Sequence, residues 1–225
     1  MRRPVTVIFV LVTAVACMTV VYCLRMGWIQ PAAIAKVFAS TGFLLAALSA
    51  GVLETRFGRV ILAGLILSMV GDMALISPSR ESFLVGLSAF LLAHIAYITG
   101  FVGYGQDRRR VLIAAGPVVV AAVAVLAWMM PYAGDGLAMP VRIYTAVISL
   151  MVITAFGAHA AGASRLIVAG AVMFFLSDLS VASLRVVGTD FPAYVWGMPF
   201  YYAGQLSIGL GAAATTAPPE SEELA

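Results

Sequence analysis

Apolar residues run along this chain in eight stretches, near 4–24, 31–50, 59–77, 82–103, 111–131, 140–160, 165–185 and 192–213. Each has room for the ~20 helical residues that cross a hydrocarbon core of about 30 Å. Polar residues gather in the short turns between them, and no stretch is long enough for a soluble domain. Pro4, Pro31, Pro140 and Pro192 fall near run starts, where a missing N–H is tolerated. The pattern predicts an all-α, polytopic membrane protein with eight transmembrane helices. They form one domain over residues 1–213, and an acidic, proline-bearing tail over 214–225 is expected to be disordered.

Composition supports the pattern. The 225 residues are 63% hydrophobic and 10% charged, with mean hydropathy +1.05, whereas soluble domains are about a quarter charged. The net charge of +3 is scattered at the ends of apolar runs, which argues against a nucleic-acid partner. Cys17 and Cys23 are six apart and face different ways on a helix, so neither a disulfide nor a metal pair is expected. Met-Arg-Arg-Pro before an apolar run resembles a signal peptide. The run is long enough to span and lacks a clear Ala-x-Ala site, so a retained helix is expected. With the N-terminus inside, Arg2, Arg3, Arg56, Arg59, Arg108, Arg109, Arg110 and Arg165 lie in the cytoplasm. Arg25, Arg80, Arg142 and Arg185 lie outside. The excess of cations inside places both termini in the cytoplasm. Usage rich in Ala, Val, Gly and Arg points to the inner membrane of a high-GC bacterium.

Two aspartates interrupt the apolar pattern. "RVILAGLILSMVGD" (59–72) aligns without gaps on "RLIVAGAVMFFLSD" (165–178) at an offset of 106 residues. Arg, Ile, Ala, Gly and Asp match. The copies lie four spans apart and so run in the same direction. This predicts a parallel repeat with halves at about 4–103 and 111–213, and Asp72 and Asp178 at equal depth. A carboxylate at mid-helix costs about 2.5–3.5 kcal/mol on insertion scales, so two at one depth suggest a shared interior cavity. The plainer reading is a structural polar plug.

Other polar side chains lie at comparable depth. Lys36, the single lysine, either snorkels to the interface or pairs with an aspartate or a lipid phosphate. His94 and Tyr97 are three apart and share a helix face, as do Tyr201 and Gln205, four apart. Tyr144 opens span six, where an aromatic-belt role is the alternative. His159 reads as structural. No phosphate loop, nucleophile elbow or Cys/His metal spacing is present, so neither cofactor nor metal is expected. Small residues such as Ala203-Gly204 and Gly209-x-Gly211 suit helix packing within the chain or in a homo-oligomer.

"GDMAL", "FLVGLSAFLLAHIAYITGF", "FFLSDLSVA" and "YYAGQLSIG" together resemble the YhhN/TMEM86 family of eight-span membrane proteins, over about Lys36 to Gly211. Members often read Lys-Pro where this chain reads Lys36-Val37. The resemblance implies a lysoplasmalogenase: hydrolysis of the vinyl ether of a lysophospholipid, giving a fatty aldehyde and a glycerophospho-alcohol. Membrane lipid and a lysophospholipid substrate are the implied partners. It also implies that Lys36, Asp72, His94, Tyr97, Asp178 and Gln205 occupy the family's polar positions. The chemistry fits: one carboxyl group can protonate the alkene while a second stabilises the cation or activates water, as paired carboxylates do in glycoside hydrolysis. Asp72 and Asp178 are the expected catalytic pair. His94, Tyr97, Tyr144, Tyr201 and Gln205 support them, and Lys36 tunes an aspartate or holds the phosphate. The alternative from another class is a proton-coupled small-molecule or lipid transporter. A metal hydrolase using His94 with both aspartates is a second.

Overall fold

The computed structural model describes residues 2–215. They form eight α-helices and no strand. These are α1 (Arg2–Arg25), α2 (Ile29–Ser49), α3 (Arg56–Ala74), α4 (Arg80–Tyr104), α5 (Arg108–Met129), α6 (Asp135–Ala160), α7 (Arg165–Ala182) and α8 (Tyr194–Ala214). A short 3-10 turn, Val52–Glu54, precedes α3, and a π turn, Ser183–Val187, continues α7. Most ends fall within three residues of the expected ones. Apart from Thr215 and the last residue of α8, the acidic tail lies outside the described residues.

Helix α6 starts five residues before the expected Pro140. A proline inside a helix removes one backbone bond to the carbonyl four residues earlier. Here that carbonyl belongs to Gly136, in the first turn, so the helix extends back to Asp135. Among the described residues those with positive φ are all glycines in the turns, including Gly51, Gly162 and Gly188, because only glycine adopts that conformation without strain.

Seven helices are long and apolar enough to cross a membrane: the chain is a multi-pass membrane protein. The remaining helix, α8, is 21 residues long but carries three tyrosines, Trp196 and Gln205. Its position accounts for this. Consecutive helices pair as hairpins, and α8 packs on α7 and also on α1, α2 and α3. A central helix can hold polar groups because neighbouring helices, not lipid, satisfy them. Helix α5 is the opposite case. It packs chiefly on α6 and buries only Ala114 and Met129, so its apolar character faces outward.

Glycine sets the closest approach. A Cβ on Gly170 of α7 would stand 2.7 Å from the Gly204 carbonyl of α8, and one on Gly204 would stand 3.1 Å from the Gly170 carbonyl. The two backbones touch there, as small residues allow in membrane helix pairs. Gly64 of α3 similarly leaves the space that the Tyr97 ring of α4 fills.

Candidate active site

Three polar clusters occupy the bundle interior. The first is built on spacing. Lys36 and Ser40 lie one helical turn apart on α2, and Ser68 and Asp72 lie one turn apart on α3. Lys36 Nζ pairs with Asp72 Oδ1 at 2.8 Å. Asp72 Oδ2 accepts from Ser40 Oγ at 2.9 Å and from the Tyr202 hydroxyl of α8 at 2.7 Å. Lys36 also donates to the Asp72 carbonyl at 3.2 Å. That carbonyl is one of the last four of α3, which have no partner within the helix. Lys36 therefore caps α3 as well as neutralising its carboxylate. Both side chains are shut in, at 8% and 4% exposure, so Lys36 does not snorkel.

The second cluster locks α3, α4 and α8 together. The Tyr97 hydroxyl donates to Gln205 Oε1 at 2.7 Å and lies 3.2 Å from Ser68 Oγ. Tyr201 donates to the Ser68 carbonyl at 2.9 Å. The Tyr201 ring packs edge-on against Tyr202, Phe174 and Phe90, at centroid distances of 4.9, 5.6 and 5.8 Å.

The third cluster holds Asp178 of α7. Its Oδ2 accepts from the Tyr144 hydroxyl of α6 at 2.7 Å. His94 Nε2 of α4 stands 3.9 Å from the same oxygen, too far for a direct hydrogen bond. The His94 ring is wedged between Phe174 and Tyr144, at 4.6 and 5.3 Å. Neither His94 nitrogen has a hydrogen-bond partner among the described residues, nor does Gln205 Nε2. The Asp178 side chain is 14% exposed, and Asp178 and Tyr144 line an apolar cleft between α4, α5, α6 and α7. Phe83, Phe90, Ile148 and Val186 are among its other walls.

The model of the YhhN family matches residues 32–212, which carry all three clusters. The chain belongs to the YhhN family. A lysoplasmalogenase of Mycobacterium tuberculosis is 33% identical over 180 residues, covering 77% of this chain and 67% of that protein. The Mycobacterium bovis lysoplasmalogenase gives the same figures. Human lysoplasmalogenase TMEM86B is 28% identical over 163 residues, 72% of this chain and 67% of that protein. No solved structure matches.

In this YhhN chain the residues singled out from sequence all lie in the interior clusters, but the two aspartates do not share a cavity. Asp178 lines the cleft, whereas Asp72 is enclosed by Lys36, Ser40 and Tyr202. At the offset that aligns the aspartates, Arg142 stands where Lys36 does, yet Arg142 is exposed and Asp178 takes a tyrosine instead. The two-carboxylate, one-histidine metal set is not assembled: no three His, Cys, Asp or Glu side chains converge among the described residues. His159 bonds the Ala163 carbonyl through Nδ1 at 2.8 Å, beside the turn after α6. Sequence reasoning missed Ser40, Ser68 and Tyr202. The first two were accessible from one-turn spacing to Lys36 and Asp72; Tyr202 was hidden by its neighbour Tyr201.

Proposed function

We propose that this protein is a lysoplasmalogenase, hydrolysing the vinyl ether of a lyso ether phospholipid at Asp178. The observation that carries this reading is a carboxyl group, held by a tyrosine and beside an unpartnered histidine, on the wall of an apolar cleft. Family membership and relatives of that name support it.

An alkenyl chain suits the cleft's apolar walls. Asp178, in its acid form, gives its proton to the β-carbon of the alkene. The π electrons form the new C–H bond, and an oxocarbenium ion results beside the carboxylate just created. Water adds to the α-carbon. The 3.9 Å between His94 Nε2 and Asp178 Oδ2 suits a water bonded to both, so its proton returns to Asp178 directly or through His94. The hemiacetal then breaks its bond to the glycerol oxygen, which takes the hydroxyl proton and leaves the aldehyde. Tyr144 fixes the carboxyl orientation. Asp72, already balanced by Lys36 and two hydroxyls, braces α2, α3 and α8 rather than exchanging protons with substrate.

The test is aldehyde release from 1-alkenyl-glycerophosphoethanolamine by purified Asp178→Asn protein whose unfolding temperature matches wild type. The expected loss is about 10²–10⁴-fold, the usual range for a general acid. Turnover at the wild-type rate would remove Asp178 from the mechanism. The transporter reading requires proton-coupled uptake into liposomes without product.

A further inference from the structure

A cationic hollow adjoins the cleft across Phe83. Phe83, which forms part of the cleft wall, also lines a polar hollow with Arg80, Ser79, Gly134, Gly136 and Arg185. Arg80 is the first residue of α4, and Arg185 sits in the π turn that continues α7. Arg185 is held in place by three backbone carbonyls around the end of α3: Leu75 at 3.3 Å, Ser77 at 3.2 Å and Pro78 at 3.2 Å. A guanidinium has five N–H donors, so donors remain for a ligand. No carboxylate is ion-paired with either arginine among the described residues. Two arginines directed at one hollow without a counter-ion make a site for an anion, and the planar fork of arginine suits a phosphate.

The spacing connects this hollow to the chemistry. Asp178 and Arg185 are seven residues apart along one continuous helical segment, about two turns or ~10 Å. In a glycerophospholipid the phosphorus and the β-carbon of the sn-1 alkenyl chain are separated by seven bonds, roughly 8 Å when extended at about 1.2 Å of reach per bond. A phosphate in the hollow therefore brings the alkene to the depth of Asp178.

We propose that the Arg80–Arg185 hollow is the phosphate subsite that sets how deeply a lysophospholipid enters the cleft. This rests on the lysoplasmalogenase reading for its substrate, but the binding it describes does not require turnover. Two measurements on the full-length protein in detergent test it. The first compares kcat/KM for 1-alkenyl-glycerophosphoethanolamine and for 1-alkenylglycerol, which lacks the phosphate. Arg80→Gln should lower the ratio between the two substrates about tenfold, chiefly through KM, whereas Arg142→Gln, an exposed cation outside the hollow, should preserve it. An unchanged ratio in Arg80→Gln, or an equal fall in Arg142→Gln, overturns the proposal.

The second measures binding of the non-hydrolysable 1-alkyl-glycerophosphocholine, 1-alkylglycerol and inorganic phosphate by calorimetry. The phosphate-bearing lipid should bind about tenfold more tightly than alkylglycerol, and Arg80→Gln should abolish the difference. If that holds while wild type hydrolyses no alkenyl lipid, the subsite stands and the hydrolase reading falls. If only inorganic phosphate binds in an Arg80-dependent manner, the hollow serves a free anion and the lipid proposal is overturned.

Discussion

At the residue scale, two aspartates that look alike in sequence have different partners. Asp72 has a lysine, a serine and a tyrosine on its carboxylate, whereas Asp178 has one tyrosine and faces a cleft. Removing one member of a buried ion pair leaves the other charge uncompensated, at a cost of about 3–5 kcal/mol. Asp72→Asn is therefore expected to lower thermal stability sharply, and adding Lys36→Met should restore much of it. Unfolding temperatures of both singles and the double in detergent check this; a double mutant as weak as the sum of the singles would count against the brace. Tyr144→Phe removes the hydroxyl that orients Asp178 without creating a cavity. It should lower kcat about tenfold, within the range for a lost neutral hydrogen bond, and leave the unfolding temperature nearly unchanged.

At the element scale, glycine placement decides which helices approach. A Cβ on Gly170 meets the Gly204 backbone, which cannot yield. Gly170→Val should therefore separate α7 from α8, costing at least the 1–3 kcal/mol of ordinary overpacking, and should lower the yield of folded protein on size-exclusion chromatography. Gly64→Ala meets the Tyr97 ring instead. It should disturb the Tyr97–Gln205–Ser68 cluster with a smaller stability loss. Helix existence was legible from the apolar runs, because a lipid-spanning segment must satisfy its own backbone and so declares itself by length. The start of α6 was not, since a proline near a helix start reads as the start itself. The π turn after α7 was also invisible: nothing in Ser183–Val187 distinguishes it from ordinary helix.

At the scale of the whole molecule, every odd-numbered helix begins at an arginine: Arg2, Arg56, Arg108 and Arg165. By the bias of basic residues toward the cytoplasm, a fluorescent-protein fusion at the C-terminus should be bright and an alkaline phosphatase fusion there inactive; the reverse would invert the orientation. Sequence alone determined that this chain crosses the membrane repeatedly, that its interior holds Asp72, His94, Tyr97, Asp178, Tyr201 and Gln205, and that it resembles the YhhN family. Those facts follow from local hydropathy and from the cost of polar groups in lipid, both of which are written along the chain. Only the tertiary structure decided which of those groups meet. Lys36 finds Asp72 and not Asp178, Tyr144 finds Asp178, and one cleft reaches one carboxyl group. Partner choice depends on the rotation and closeness of helices distant in sequence, set by contacts such as Gly170 against Gly204, and no periodicity along a single helix encodes it.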